Sequence, residues 1–139
     1  MKLFTQLNFG GNCREAFEFY QRHLGGKILA MLSQGEMKQF SAGQGSGGPE
    51  DAIAHARMQL AGTELIGNDV PVELFQPMRS AYLYLAVGTA EEAERVYGLL
   101  SEGGQIFMPM GEMFFATRFA MLRDRFGVSW SVICEKRMG

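Results

Sequence analysis

The chain has 139 residues, 47% of them hydrophobic and 20% charged, the size and composition of one soluble domain with a single core. Its formal net charge of −2, with no Lys/Arg stripe, excludes a nucleic-acid binder that works by neutralising phosphates. No apolar run approaches the roughly 18 residues needed to span a bilayer, and no charged-then-apolar leader opens the sequence, so a cytoplasmic protein is expected.

Leu3–Phe9 reads as a strand with Leu3, Leu7 and Phe9 on one face and Phe4, Gln6 and Asn8 on the other. The following "NCREAFEFYQRHLGGK" has the parts of a helix. Asn12 is the natural N-cap with Glu15 at capping-box spacing, Ala16, Phe17, Tyr20 and Leu24 form the apolar face, and Gly25–Gly26 ends it. His23, late in this helix, is expected to face solvent with help from the helix dipole. Strand signals follow in "KILAML", "IAHARMQLAG" and "TELIGN", where Ala56, Met58 and Leu60 oppose His55, Arg57 and Gln59. Between the first two lies "SAGQGSGGPED", a loop by composition. Its "GQGSGG" looks like a phosphate cradle, but that chemistry needs a helix N-terminus next, and "DAIAHARMQL" reads as a strand.

The second half repeats the pattern. "AYLYLAV" is a strand with Leu83, Leu85 and Val87 on one side and Tyr82 and Tyr84 on the other. Thr89 then caps a helix with Glu92 three residues on, Ala93, Val96, Tyr97 and Leu100 as its apolar face, and Gly103–Gly104 as its stop. Asn12 to Thr89 and Gly25 to Gly103 are 77 and 78 residues apart. Strand signals recur in "QIFMPM", "FATRFAML" and "VSWSVIC". A tight turn at Asp124–Gly127 feeds the last strand, with Val128, Trp130 and Val132 on one face and Ser129 and Ser131 on the other. Trp130 is expected beneath the helix. Each half therefore reads βαβββ, and tandem duplication is the economical explanation. The fold class is α+β, one domain over 1–139 with modules at about 1–70 and 79–136. The polar strand faces either meet solvent or line a shared concavity. Met108, Met110 and Met113 among Phe107, Phe114 and Phe115 are either adaptable core or a soft apolar wall for a ligand. Cys13 and Cys134, far apart and outside any CxxC spacing, are expected to be free buried thiols.

The paired βαβββ pattern, with "GNCREAFEFYQRHLGGK", "IAHARMQLAGTELIGND" and "DRFGVSWSV", resembles the vicinal oxygen chelate superfamily of glyoxalase I, bleomycin-resistance proteins and extradiol dioxygenases. It is most similar to the PhnB-like branch, whose members often carry a 3-demethylubiquinone methyltransferase label. The resemblance implies two modules forming an open, barrel-like cup, usually completed in a homodimer. In metal-using members four side chains, commonly His and Glu, reach into that cup. The matching positions here are Phe4–Gln6, Gly67, Tyr82 and Ser131, none of them His, Asp, Glu or Cys. A transition metal wants about three or four such ligands, and the chain has two histidines. No metal and no cofactor is therefore expected, with His55 beside Asp69 or Glu112 as an improvised alternative.

The candidates for function follow from residue chemistry. His55 is a general base, a ligand contact, or a histidine satisfied by backbone or a nearby carboxylate. Glu112 is an acid or base if buried and bland if exposed. Arg57 and Arg118 are forks for an anion or ordinary salt-bridge partners. Tyr82 and Tyr84 offer stacking surface and a hydroxyl. Gln6, Asp69 and Ser131 complete the expected ligand-binding set, although Asp69 also suits a turn cap before Pro71. The leading expectation is a metal-independent binder of a small aromatic or anionic molecule, acting as a homodimer without nucleic-acid or membrane partners. The alternative is an enzyme with acid–base chemistry on His55 and Glu112, with or without an unconventional divalent metal.

Overall fold

The computed structural model describes residues 1–40 and 49–136, Phe40 by its backbone alone. The glycine-rich stretch at 43–48 lies outside the described residues, and the first regular element after it is a strand. The chain divides into two compact units, residues 1–75 and 76–139.

The first unit runs β1 (Thr5–Phe9), α1 (Cys13–Leu24), β2 (Lys27–Ser33), α2 (Gln34–Phe40), β3 (Ile53–Leu60), β4 (Thr63–Asp69) and a 3₁₀ turn at Val72–Leu74. Its four-stranded sheet has the order β1-β4-β3-β2, with β1 parallel to β4 and the other pairs antiparallel. Side chains alternate across the sheet as the period of two requires. Leu7, Phe9, Ala56, Met58, Leu60 and Leu65 are buried on one side, where α1 lays Ala16, Phe17 and Tyr20. Phe17 meets Phe9 edge-to-face at 6.0 Å, a favoured aromatic geometry. Gly67 permits this approach. A Cβ built there would lie 2.7 Å from Phe17 Cζ and 3.0 Å from Cys13 Sγ. Leu3 lies outside β1 and is exposed.

α1 ends as expected, with Gly25 in the left-handed region at φ 75°, but it begins differently. Asn12 makes no side-chain capping bond, and its Oδ1 is buried without a partner among the described residues. The cap comes from Asp69, whose Oδ1 accepts from the amides of Gly11 (3.1 Å) and Cys13 (2.9 Å) while Oδ2 accepts from Ile53 N–H (2.8 Å). Parallel pairing of Phe9 with Asp69 brings this carboxylate to the helix start. α2 was not expected. Ser33 and Glu36 form a reciprocal capping box, each side chain accepting from the other's amide at 3.1 Å. These hydrogen bonds hold the Glu36 carboxyl below the usual carboxylate range.

The second unit runs β5 (Leu83–Ala86), α3 (Ala90–Ser101), β6 (Gln105–Met113), β7 (Ala116–Arg123) and β8 (Ser129–Glu135). Its sheet has the order β5-β8-β7-β6, with β5 parallel to β8, the topology of the first unit again. Thr89 caps α3 through its hydroxyl, which accepts from Glu92 N–H at 3.1 Å. Ala93, Val96 and Leu100 of α3 are buried, and Ala120, Leu122, Trp130 and Val132 fill the sheet side beneath it. Trp130 is thus a helix-side core residue, as expected. Its indole N–H donates to the buried Asp124 carboxylate at 2.9 Å, which also accepts from the amides of Phe126 and Val128. One acid thereby fixes the turn and the strand it feeds.

Both units are open four-stranded sheets with helix on one face, an α+β architecture with neither sheet closed into a barrel. Among the described residues no helix is long and apolar enough to cross a membrane. Cys13 and Cys134 are free and buried.

Candidate functional site

Opposite its helix, the first unit presents the side chains that alternate with its core. Gln6 and Asn8 of β1, Glu64, Ile66 and Asn68 of β4, and His55, Arg57 and Gln59 of β3 share this face. Gln6 Nε2 donates to Asn68 Oδ1 at 3.0 Å. Arg57 is committed: its Nη2 and Nε donate to Glu64 Oε1 at 2.8 and 3.0 Å, and its guanidinium stands 5.6 Å from the Phe4 ring. His55 differs. Among the described residues its ring makes no hydrogen bond, ion pair or ring contact, so both nitrogens remain available.

The open face of the second unit is more aromatic. Tyr84 is 57% exposed there and pairs in register with Ser131, which in turn pairs with Met121. The Ser131 hydroxyl has no hydrogen-bond partner among the described residues and is not sealed from solvent. Burial of its surroundings, then the Glu135 carboxylate nearby, pushes the Tyr84 hydroxyl above its ordinary range. It therefore stays a protonated handle at neutral pH rather than a base. Tyr82 precedes β5. Its hydroxyl accepts from Arg79 Nη1 at 2.6 Å, and its ring meets Phe107 edge-on at 6.3 Å.

Four expected site residues stand elsewhere or are occupied. Arg118 is on the α3 side of its sheet, in register with Cys134, and its Nε donates to Glu94 of the helix at 3.0 Å. Arg57 is neutralised by Glu64. Asp69 is a structural cap with three amides on its two oxygens. Glu112 is well exposed and only 3.9 Å from Lys136 Nζ, the bland case. Gly67 belongs to the α1-covered side, so the residues that β4 offers the open face are its neighbours Ile66 and Asn68. The Met/Phe stretch is mostly not core: Phe114 is 90% exposed, Phe115 and Met108 are exposed, Met113 packs against Ala116, Phe119 and Ile133, and Phe115 meets Phe119 edge-on at 5.3 Å. β6 is an edge strand, and most of its residues are exposed. His23 rests on Phe19 with centroids 4.6 Å apart.

Beside the start of α1 the first unit holds a cavity of about 420 Å³ lined by Gly10, Gly11, Gln34, Asp69, Val72 and Glu73. That is a small-molecule size, but its Asp69 is already spent on backbone. The metal that the superfamily implies does not fit the side chains present. The matching positions Gly67, Tyr82 and Ser131 offer no His, Cys or carboxylate, and among the described residues no three His, Cys, Asp or Glu side chains gather as a ligand set.

Sequence and structure comparisons agree on kinship. The model of the family described as 3-demethylubiquinone-9 3-methyltransferase matches residues 1–133. Protein YjdN of Escherichia coli K12 is 36% identical over 143 residues, covering 99% of this chain and 97% of that protein. The crystal structure of PA1353 from Pseudomonas aeruginosa is 38% identical with TM-score 0.82, covering 99% of each chain. A PhnB protein from Bacillus cereus is 29% identical with TM-score 0.81, covering 96% of this chain and 99% of its own. A glyoxylase/bleomycin resistance protein/dioxygenase domain from Frankia, 16% identical with TM-score 0.61, shares the fold over 98% of each chain. The chain belongs to the family described as 3-demethylubiquinone-9 3-methyltransferase, and its solved relatives include a PhnB protein.

Proposed function

We propose that this protein binds a small organic molecule, aromatic or anionic, on the open sheet faces without a metal ion, and that it works as a homodimer. The observation that supports the reading is Tyr84: a largely exposed ring on the face away from α3, beside the Met121 thioether and a serine hydroxyl without a partner among the described residues. An apolar surround with a few convergent polar handles is the composition of small-molecule sites. The side chains at the superfamily's ligand positions suit an organic guest better than a cation.

A second reading draws on His55. An imidazole with both nitrogens available is suited to move a proton, which would make the protein an enzyme. Glu112 gives that reading no help, because an exposed carboxylate is no better placed than one in water.

The test has two arms. A thermal-shift screen of small aromatics and organic anions, with and without a chelator, should find ligands that raise the melting temperature equally in both conditions. Elemental analysis of protein purified without chelators should find no stoichiometric metal. Stoichiometric Zn, Fe, Mn or Ni that is lost in a His55→Ala variant would overturn the metal-free reading. Sedimentation analysis showing only monomer would remove the dimer.

A further inference from the structure

We infer that the open face of the second unit carries an oxyanion site, built by Arg79 and Arg123 around Phe107, that takes the carboxylate or phosphate head of a small organic anion. This rests on the binding role proposed above and narrows it to a class of ligand.

The arginines sort by whether they hold a carboxylate. Arg57 pairs with Glu64, Arg95 with Glu92 and Arg118 with Glu94. Arg79 and Arg123 hold none among the described residues, yet they converge. Their guanidinium carbons lie 4.0 and 5.3 Å from the centroid of the one Phe107 ring. Like charges repel, and Arg123 is half-buried, so its charge has given up part of its hydration without a counter-ion. What holds the pair is neutral. The Met78 carbonyl accepts from Arg123 Nε at 3.0 Å and from Ser129 Oγ at 2.7 Å, and the Tyr82 hydroxyl accepts from Arg79. Met78 N–H in turn donates to Gly127 O at 3.0 Å, which pins the segment bearing Arg79 to the β7–β8 turn. Each guanidinium uses one of its five N–H donors in these bonds. The remaining forks suit a carboxylate or phosphate.

The backbone is shaped for this arrangement. Gln105 pairs with Arg123 and Ile106 with Leu122, so alternation carries Phe107 onto the open face beside Arg123, and the register slip between Ile106 and Met108 brings Met108 onto that face as well. Bulges re-aim side chains in this way beside functional sites. Further along the same face lie Met108, Met121, Ser131 and Tyr84. A ligand whose oxyanion sits at Arg79 and Arg123 would lay an apolar or aromatic body on these residues.

The test is isothermal titration of benzoate, phenyl phosphate and neutral benzamide into wild-type protein and the Arg79→Gln, Arg123→Lys and Tyr84→Phe variants. Circular dichroism checks the fold of each. Both anions should bind at least tenfold more tightly than benzamide, and either arginine variant should weaken them about tenfold or more, the scale of one lost charge-assisted hydrogen bond. The Arg79 and Arg123 Nε–H signals in ¹⁵N spectra should move as phenyl phosphate is added. The exposed Arg79 keeps the test valid even where Arg123→Lys disturbs folding. Anion affinities unchanged in the Arg79 variant, or unmoved Nε–H signals at saturation, would overturn the inference. If benzamide binds as well as benzoate and Tyr84→Phe weakens both, the oxyanion site falls and the binding role stands. If none of the three binds, both fall.

Discussion

Replacing Asp69 tests whether this residue is architecture or ligand contact. Its carboxylate accepts three backbone amides, those of Gly11, Cys13 and Ile53, at 3.1, 2.9 and 2.8 Å. In Asp69→Ala all three lose their partner. The Gly11 amide is near solvent and water can replace the acid, so its loss is small. The Cys13 and Ile53 amides are partly buried, and each orphaned donor costs about 1–2 kcal/mol. Loss of the α1 cap is contained in the Cys13 figure and agrees with it, since caps are worth about 0.5–2 kcal/mol. The variant should therefore be less stable by about 2–4 kcal/mol, read as a lower midpoint in urea unfolding at unchanged slope. Asp69→Asn keeps one acceptor oxygen but turns an amide group toward an N–H donor, so it should fall between wild type and Ala. Ligand affinity per folded molecule should be the same in the Asn variant. If Asp69→Ala lies within about 0.5 kcal/mol of wild type, the ordinary range for inert surface changes, the capping role is wrong. Preserved stability with lost ligand binding would restore Asp69 to the site.

Three other outcomes follow from the same geometry. Asn12→Ala should be neutral or slightly stabilising, against the usual loss of about 1 kcal/mol at an N-cap, because Oδ1 is buried without a partner among the described residues; urea unfolding decides. Gly67→Ala should cost about 1–3 kcal/mol from crowding of Phe17 and Cys13, whereas Gly98→Ala in α3, with open space around it, should gain about 0.5–1 kcal/mol from lower backbone entropy. Burial, then the Asp69 charge, pushes the Cys13 thiol from 9.0 up to about 12. Below pH 9 both states keep the proton, and above it the unfolded thiol ionises while the folded one does not. Wild-type stability relative to Cys13→Ala should thus fall by about 1.4 kcal/mol per pH unit between pH 9 and 12, and a thiol reagent should leave Cys13 unmodified in folded protein at pH 8.

What the sequence made legible is what local periodicity controls. The face to which Ala56, Met58, His55 or Tyr84 belongs depends only on alternation along one strand, and those assignments hold. α2 carries its own local mark, because Ser33-x-x-Glu36 is a capping box in plain sight, but a helix of seven residues is too short to add a repeating apolar stripe. The fate of charged groups was not legible. Arg57 meets Glu64 because of the β3–β4 register, Arg118 meets Glu94 because the β7–β8 pairing turns it toward α3, and Asp69 reaches amides 16 to 58 residues away. Arg57 and Glu64 lie only seven residues apart, but nothing local says that the strand register sets them side by side, and the partners of Arg118 and Asp69 lie 16 or more residues away. Gly67 was misplaced by one step of a two-residue period, enough to move it from open face to helix side. Arg79 and Arg123 were missed because their meeting around Phe107 depends on the β6–β7 register and on the tie between Met78 and Gly127, both long-range.

The repeated topology sharpens why the two units present different chemistry. In each, the first strand runs parallel to the last, so an acid near the end of the last strand stands close to where the helix begins. In the first unit that acid is Asp69, on the helix side of β4, and it is absorbed by the α1 amides. In the second unit Thr89 caps α3 from within its own turn, so no distant acid is needed. Glu135 at the end of β8 instead has the parity of Ser131 and sits beside Tyr84 on the open face. Local capping thus leaves the second unit's terminal acid free to act on a side chain rather than on backbone. With Glu135 at one end of that face and, at the other, two arginines that hold no carboxylate among the described residues, the surface is charge-polarised along β8. An organic anion lying on it would have one preferred direction, its head at Arg79 and Arg123 and its body toward Tyr84.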